Sequence, residues 1–568
     1  MKKVETLFPT KVKDLSTMNI FEKEMLKKEV ETTSGNDSIK FATSGNIFVD
    51  DFAAIGNYRS LRDFDDIFAT MDKLCNQDRI MALKLAVYIR VITRAPFFKG
   101  HKLGIQRGQG LKHEYIGRLW YFINKYPDMF YRNLDVFVAA GSWNDLFEIL
   151  RTDLYYNGRP TKKIFDNVCN YITKNLSDKN QADLIKKYLP QIKPSKKCTT
   201  LRTQANNIIA KTIATMLYPE MEKASAYACY RHLKTSGNAH TWEQKISQQK
   251  YNEIDFSLVA GRALAWMVKS KFLKNHELEK AYEEWIASQP IAKFTGYVYE
   301  LFKPIQDVYC SRWDGESSTL KPYQIMTLNK QFDGLIETAK QNMNRETSFI
   351  CCIDTSGSMI SKAKGTGVSS LGVARSIALY FSELLEGKFK NTFLEFESTC
   401  TFNTWKGNTA YEKWIKTPIS GYCGSTNFLS VADTLCDLKR KGYQESEFPT
   451  GIICISDGEF DQNIHWSNYN NGSTFESFLR KLRNAGFSDE FVDNFKIVLW
   501  DIPNGYYGSE IRPKFEGLAD RPNFYYMSGL DPAGIAFLTG TTYTQITPKT
   551  AEELFEAAMN QELIQKIK

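Results

Sequence analysis

At 568 residues the chain is too long for one ordinary core, so two or more domains are expected. A hydrophobic fraction of 43% and a charged fraction of 24% exclude a disordered chain, and no apolar run approaches the ~20 residues that a membrane helix needs. The net charge of +8 hides a split: residues 346–568 hold 21 Lys and Arg against 27 Asp and Glu, which leaves 52 against 38 for residues 1–345. A basic front and an acidic back suggest different partners for each.

The opening MKKVETLFPTKVK has positive charge but no apolar stretch behind it, so no secretory signal is read. Eleven scattered cysteines, with no CxxC pair and no His/Cys grouping, argue against zinc and for reduced thiols in a cytoplasm. Residues 1–55 read as an N-terminal extension, loosely ordered around SGNDS and TSGN. Residues 56–345 read as an all-α domain. MALKLAVYIRVI, EYIGRLWYFI, NLDVFVAAG, WNDLFEIL, IIAKTIATMLY and LVAGRALAWMVKSKFL keep apolar groups at three- and four-residue intervals. Many helices with short connections predict a HEAT-like solenoid or ring, its repeats degenerate in sequence.

Residues 346–568 change pattern. TSFICCID, NTFLEFE, TGIICIS, FKIVLWDI and NFYYMSG read as short apolar parallel strands. VARSIALYFSELL, NFLSVADTLCDLKRK, TFESFLRKLRNAG and AEELFEAAM read as helices between or after them. Strands alternating with helices predict a doubly wound α/β domain, and in such sheets ligands bind beyond the carboxyl ends of the strands. Polar groups cluster there: Asp354, Ser356 and Ser358 after the first strand, Thr426 in a Gly-flanked loop, and Asp457 after IICIS. Oxygen ligands with at most two carboxylates suit Mg²⁺, or Mn²⁺ or Ca²⁺, with one position open for an acidic group from outside. A phosphotransferase of the DxDxT kind would need an acid where Ser356 stands. A serine hydrolase would need a histidine base, for which only His465 is placed at all. No catalysis is expected. The rival structural reading makes Ser356 a helix cap and Asp354 a holder of loop amides.

Residues 347–565 resemble a von Willebrand factor A domain, with DTSGS, Thr426 and Asp457 matching its metal-ion-dependent adhesion site. The resemblance implies that Ser356, Ser358 and Thr426 bind the metal directly and that Asp354 and Asp457 act largely through waters. MALKLAVYIRVI…GQGLKHEYIGRLWYF…YPDMFYRNLDVFVAAGSWNDLFEIL is similar to the TROVE module of Ro ribonucleoproteins, and more closely to a TROVE-related family carrying the same A domain. That resemblance implies a helical ring that takes single-stranded or structured small RNA.

Two acid-poor stretches fit phosphate binding. Residues 84–125 include Arg90, Arg94, Lys99, Lys102, Arg107, Lys112 and Arg118 against one acid, Glu114; residues 186–211 include Lys193, Lys196, Lys197 and Arg202 and no acid. Tyr88, Phe97, Phe98, Tyr115, Trp120 and Tyr121 interleave, either as helix core or as surfaces that stack bases. The expectation is an RNA-binding scaffold without membrane contact that also recruits an acidic protein partner through the metal. The alternative is a protein adaptor without RNA.

Overall fold

The structure is a computed structural model that describes residues 31–33, 39–41, 44–59, 62–235, 242–247, 249–294, 296–310, 320–341, 347–363, 365–419, 425–458, 474–502, 522–530, 536 and 550–568. No described helix is long and apolar enough to cross a membrane.

The first buried element lies inside the segment expected to be loose. Helix α1 (Ile47–Ala54) is capped by Asn46, whose side chain accepts the Phe48 N–H at 3.0 Å, and it buries Phe48, Val49 and Phe52. The buried apolar residues Phe48, Val49, Phe52, Ala53 and Ala54 outweigh the polar residues that precede them. Asp78 accepts the N–H groups of Ile80 and Met81 and so opens α2 (Arg79–Arg90). Between α2 and the next helix a two-residue hairpin, Phe97–Phe98 with His101–Lys102, replaces the expected uninterrupted helical array.

Helix α3 (Lys112–Lys125) is buried from Glu114 through Ile123, the mark of a core helix. Its two charged members must therefore be satisfied inside. Arg118 reaches Asp51 of α1 through two N–H groups at 2.6 and 2.9 Å and Glu114, one turn earlier, at 2.9 Å. Arg62 donates to the same Glu114 at 3.1 Å, and the Tyr58 hydroxyl donates to Asp51 at 2.6 Å. Helix α4 (Trp143–Asn157) packs on α3, and α5 (Leu201–Leu217) packs on α4. Further on lie α6 (Gly261–Lys269), α7 (Val298–Cys310) and α8 (Pro322–Lys340).

The second half is a six-stranded sheet. Its strands are β1 (Phe349–Asp354), β2 (Thr392–Phe396), β3 (Cys400–Thr404), β4 (Gly451–Ser456), β5 (Lys496–Asp501) and β6 (Phe524–Ser528). Their order is 3-2-1-4-5-6, parallel throughout except for β3, which runs antiparallel on the edge. Edge strand β3 escaped the sequence reading because CTFNT is polar and half exposed, so it lacks the apolar run of its neighbours.

Side chains alternate between two cores. Ile350, Cys352, Ile452, Cys454 and Ile497 face α10 (Leu429–Arg440) and α11 (Thr474–Asn484). Cys351, Ile353, Ile453, Ile455 and Trp500 face the other way, into the core that contains Phe52, Tyr88, Phe302 and Phe332 of the helical half. Helix α9 (Ser370–Ser382) lies on that face and packs against α7.

Polar bonds fasten the same junction. The Gly56 N–H donates to Ser528 Oγ at 3.0 Å, and a Cβ on Gly56 would sit 2.0 Å from the Gly529 nitrogen. After α12 (Ala551–Met559), Gln561 pairs with both backbone groups of Arg107, and the Leu563 N–H donates to Gln106 Oε1 at 2.9 Å. Asn133 pairs likewise with both backbone groups of Lys568. Replacing Arg118 by Met leaves Asp51 and Glu114 charged in the interior and should cost roughly 3–5 kcal/mol in urea unfolding. A loss below about 1 kcal/mol would show the network to be dispensable.

Candidate metal centre and basic surface

In an open α/β sheet the crevice for ligands opens where the strand order reverses. Here that point lies between β1 and β4, which pair directly. Asp354 is the last residue of β1, and Asp457 follows β4 immediately. Asp354 is fully buried: its Oδ1 accepts the Ser356 N–H at 2.9 Å and its Oδ2 accepts the Ser456 hydroxyl at 2.6 Å. The Ser356 and Ser358 hydroxyls stand 3.2 Å apart at the start of a single 3₁₀ turn, Gly357–Ile360.

Thr426 arrives from a third loop and is buried at 4% exposure. Its neighbours pin that loop to the end of β2, next to β1: Asn427 N–H donates to the Glu397 carbonyl at 2.9 Å, and Ser425 N–H to Ser398 Oγ at 3.2 Å. All five residues read from the sequence therefore lie at one end of the sheet, Asp354 as the last residue of β1 and the other four in the loops beyond the strands. Half of the rival structural reading is present: Asp354 does hold the Ser356 amide, whereas the Ser356 side chain makes no capping hydrogen bond to the 3₁₀ turn that follows it.

Ser456 was missed. Its hydroxyl donates to Asp354 and accepts the Gly458 N–H at 3.0 Å, so it fixes the carboxylate's orientation. The one trace in the sequence is the SDG that ends the strand, with Gly458 at a φ of 81°. His465 lies outside the described residues, as do residues 420–424 of the Thr426 loop.

Burial, and then the charge of Asp457, push the Asp354 carboxyl from its ordinary 3.8 up to about 7. Two acids near enough for the charge of one to raise the pKa of the other, with hydroxyls beside them, form among the described residues an oxygen donor set suited to a hard divalent cation. Among the described residues no three His, Cys, Asp or Glu side chains gather to hold an ion, so a cation here would depend on the hydroxyls.

The basic stretches divide into inside and outside. Arg118 is fully buried and Arg107 is 7% exposed, which removes both from any RNA surface. Arg107 lies in the glycine-bearing RGQG, which threads between α2 and the segment after α12. A Cβ on Gly108 would meet the Tyr88 carbonyl at 2.1 Å, and the Gln109 carbonyl accepts the Tyr297 hydroxyl at 2.6 Å. Arg90 is spent on Asp145 at 2.8 Å and Arg94 on the carbonyls that end the helix Leu134–Ala140.

Lys112 and Arg202, one from each stretch, meet at Glu148 at 3.3 and 2.9 Å, so the two runs do approach each other across α4. Lys99, Lys102, Lys196, Lys197 and Arg202 are exposed, Lys193 half-buried. Of the interleaved aromatics, Tyr88, Tyr115, Trp120 and Tyr121 are core; Phe97, at 62% exposure, is not.

The raised Asp354 has a measurable sign. In the metal-free folded chain it keeps its proton up to about pH 7, whereas the unfolded chain loses it near pH 4, so stability falls as pH rises between these values. In EDTA, Asp354→Asn should exceed wild type by on the order of 2 kcal/mol at pH 8 and lose that advantage near pH 4.5 in urea titrations. A variant less stable than wild type at pH 8 contradicts this.

Residues 348–562 match the family model described as "Domain of unknown function (DUF7788)". No curated protein matches the chain. Among solved structures, the chain is similar to the crystal structure of the Deinococcus radiodurans Ro (RSR) protein, at 12% identity and a TM-score of 0.34. The alignment covers 87% of this chain and 91% of that one.

Proposed function

We propose that the chain is a ribonucleoprotein-type scaffold in which the helical half binds RNA and the α/β half recruits a protein through a divalent cation. The reading is supported by the position of Asp354, Ser356, Ser358 and Asp457 beyond β1 and β4 and of Thr426 in the loop held at the end of the neighbouring β2, the residues that the von Willebrand A resemblance implies as ligands. A bound Mg²⁺ would supply an open ligand position for a partner's Asp or Glu. Ser456 and the Ser356 amide hold Asp354 in place for it, and β2 holds the Thr426 loop. No turnover is expected, because the two acids serve the cation and no base accompanies them among the described residues.

For RNA, the support is the exposed set Lys187, Lys196, Lys197 and Arg202, together with the TROVE resemblance of the α2–α4 sequence. The second reading, an adaptor without RNA, is favoured by the internal commitments of Arg90, Arg94, Arg107 and Arg118.

Mg²⁺ should raise the melting temperature of the full chain, and Asp457→Ala should abolish that rise. An equal rise in the variant rejects the metal assignment. Single-stranded RNA should bind at low salt with a slope of roughly −0.7 per phosphate neutralised, and Lys187→Glu, Lys196→Glu and Lys197→Glu together should weaken it at least about tenfold. Failure of the wild type to bind, or equal binding by the triple variant, leaves the adaptor.

A further inference from the structure

Where the helical half meets the loop that follows the candidate metal residues, a cavity of about 410 Å³ opens. Helix α6 lines it with Arg262, Trp266 and Lys269, which the four- and three-residue spacing places on one face; α7 adds Tyr299, Glu300 and Lys303. Gly365 and Thr366 form the rim on the α/β side. The volume is within the range of small-molecule sites.

The charges are unbalanced. Glu300 is the acid among the lining residues, and its carboxylate is occupied: Oε1 accepts Arg262 at 2.7 Å and Oε2 accepts the Tyr297 N–H at 3.3 Å. Lys269 donates to the Glu300 carbonyl and Lys303 to the Thr366 carbonyl, each at 2.7 Å. Each ammonium has three donors and these bonds take one, so both retain capacity for an anion. Burial, with Lys303 adding to it against the pull of Glu300, lowers Lys269 to about 8, the condition of an ammonium that an arriving anion would restore.

Beside these cations, Trp266 leaves 52% of its surface exposed, whereas Phe294 and Tyr299 are buried beneath the pocket. A pair of ammonium groups with donors to spare, next to an open indole, suits a phosphate joined to a flat ring.

The geometry points to a binding site for a nucleoside phosphate, its phosphate on Lys269 and Lys303 and its base against Trp266. This site is separate from the basic surface and from the candidate metal centre, and it stands if either of those readings fails.

The test titrates the full-length chain calorimetrically with 5′-AMP, adenosine and ribose 5-phosphate at low salt. AMP should saturate the site, with adenosine and ribose 5-phosphate each weaker by about tenfold or more, a difference of about 1.4 kcal/mol. Lys269→Gln should weaken AMP by a similar factor at an unchanged melting temperature. Trp266→Leu should bring AMP down to the ribose 5-phosphate level. The variant Lys187→Glu/Lys196→Glu/Lys197→Glu should bind AMP as wild type does.

A 5′-phosphorylated oligoribonucleotide distinguishes the source. If it binds more tightly than AMP and loses affinity in Lys269→Gln, the ligand is the end of an RNA chain; if it binds more weakly, the ligand is a free nucleotide. The proposal is overturned if millimolar AMP does not bind, if adenosine equals AMP, or if both pocket variants bind AMP as the wild type does.

Discussion

A parallel sheet has to be covered on both faces, because each strand alternates apolar side chains to either side. The α/β half covers one face with α10 and α11. On the other it supplies α9 and α12, and the apolar area is completed by α1, α2 and the helices around Phe302 and Phe332. The helical half is thus part of the sheet's own core. The Arg118 network acts in the same place, since it anchors α1, the helix that lies directly on β6, to α3. The internal pairing of Arg118 specifies one docking of α1, while burial of Phe48, Val49 and Phe52 provides the driving force.

This shared core holds the candidate site rigid from below. Asp354 and Ser456 sit at the ends of paired central strands, each flanked by another parallel strand, so the spacing of their backbones is set by ladder hydrogen bonds. The described residues of the loops above contribute the hydroxyls of Ser356, Ser358 and Thr426 and the acid of Asp457. Precision comes from the strands and variety from the loops, the division of labour that suits a binding site.

The α/β half was the more legible in the sequence. Its five parallel strands announce themselves because buried parallel strands are apolar runs, the helices α9 to α12 by their three- and four-residue apolar spacing, and DTSGS marks the end of the first strand. Edge strand β3 lacks that run and Ser456 lacks any pattern, so neither could be read. In the helical half, helices were legible and charges were not. An arginine inside a basic run looks the same whether it faces phosphate or a buried carboxylate. Arg118 has Glu114 one turn away as a hint, but its stronger partner, Asp51, is 67 residues distant. Arg107 reads as a phosphate-binding residue because the glutamine that clasps its backbone, Gln561, comes from the far end of the sequence.

Those clasps join residues 454 to 475 positions apart: Gly56 and Ala53 with Ser528, Arg107 with Gln561. During synthesis the helical half leaves the ribosome first, with the apolar surface of α1 and α2 still waiting for β6 and α12. At roughly 5–20 residues per second that wait lasts on the order of tens of seconds. The shared core that unites the finished molecule is therefore, for the nascent chain, an exposed greasy face whose rightful cover arrives last, which makes the emerging helical half a natural client for chaperones.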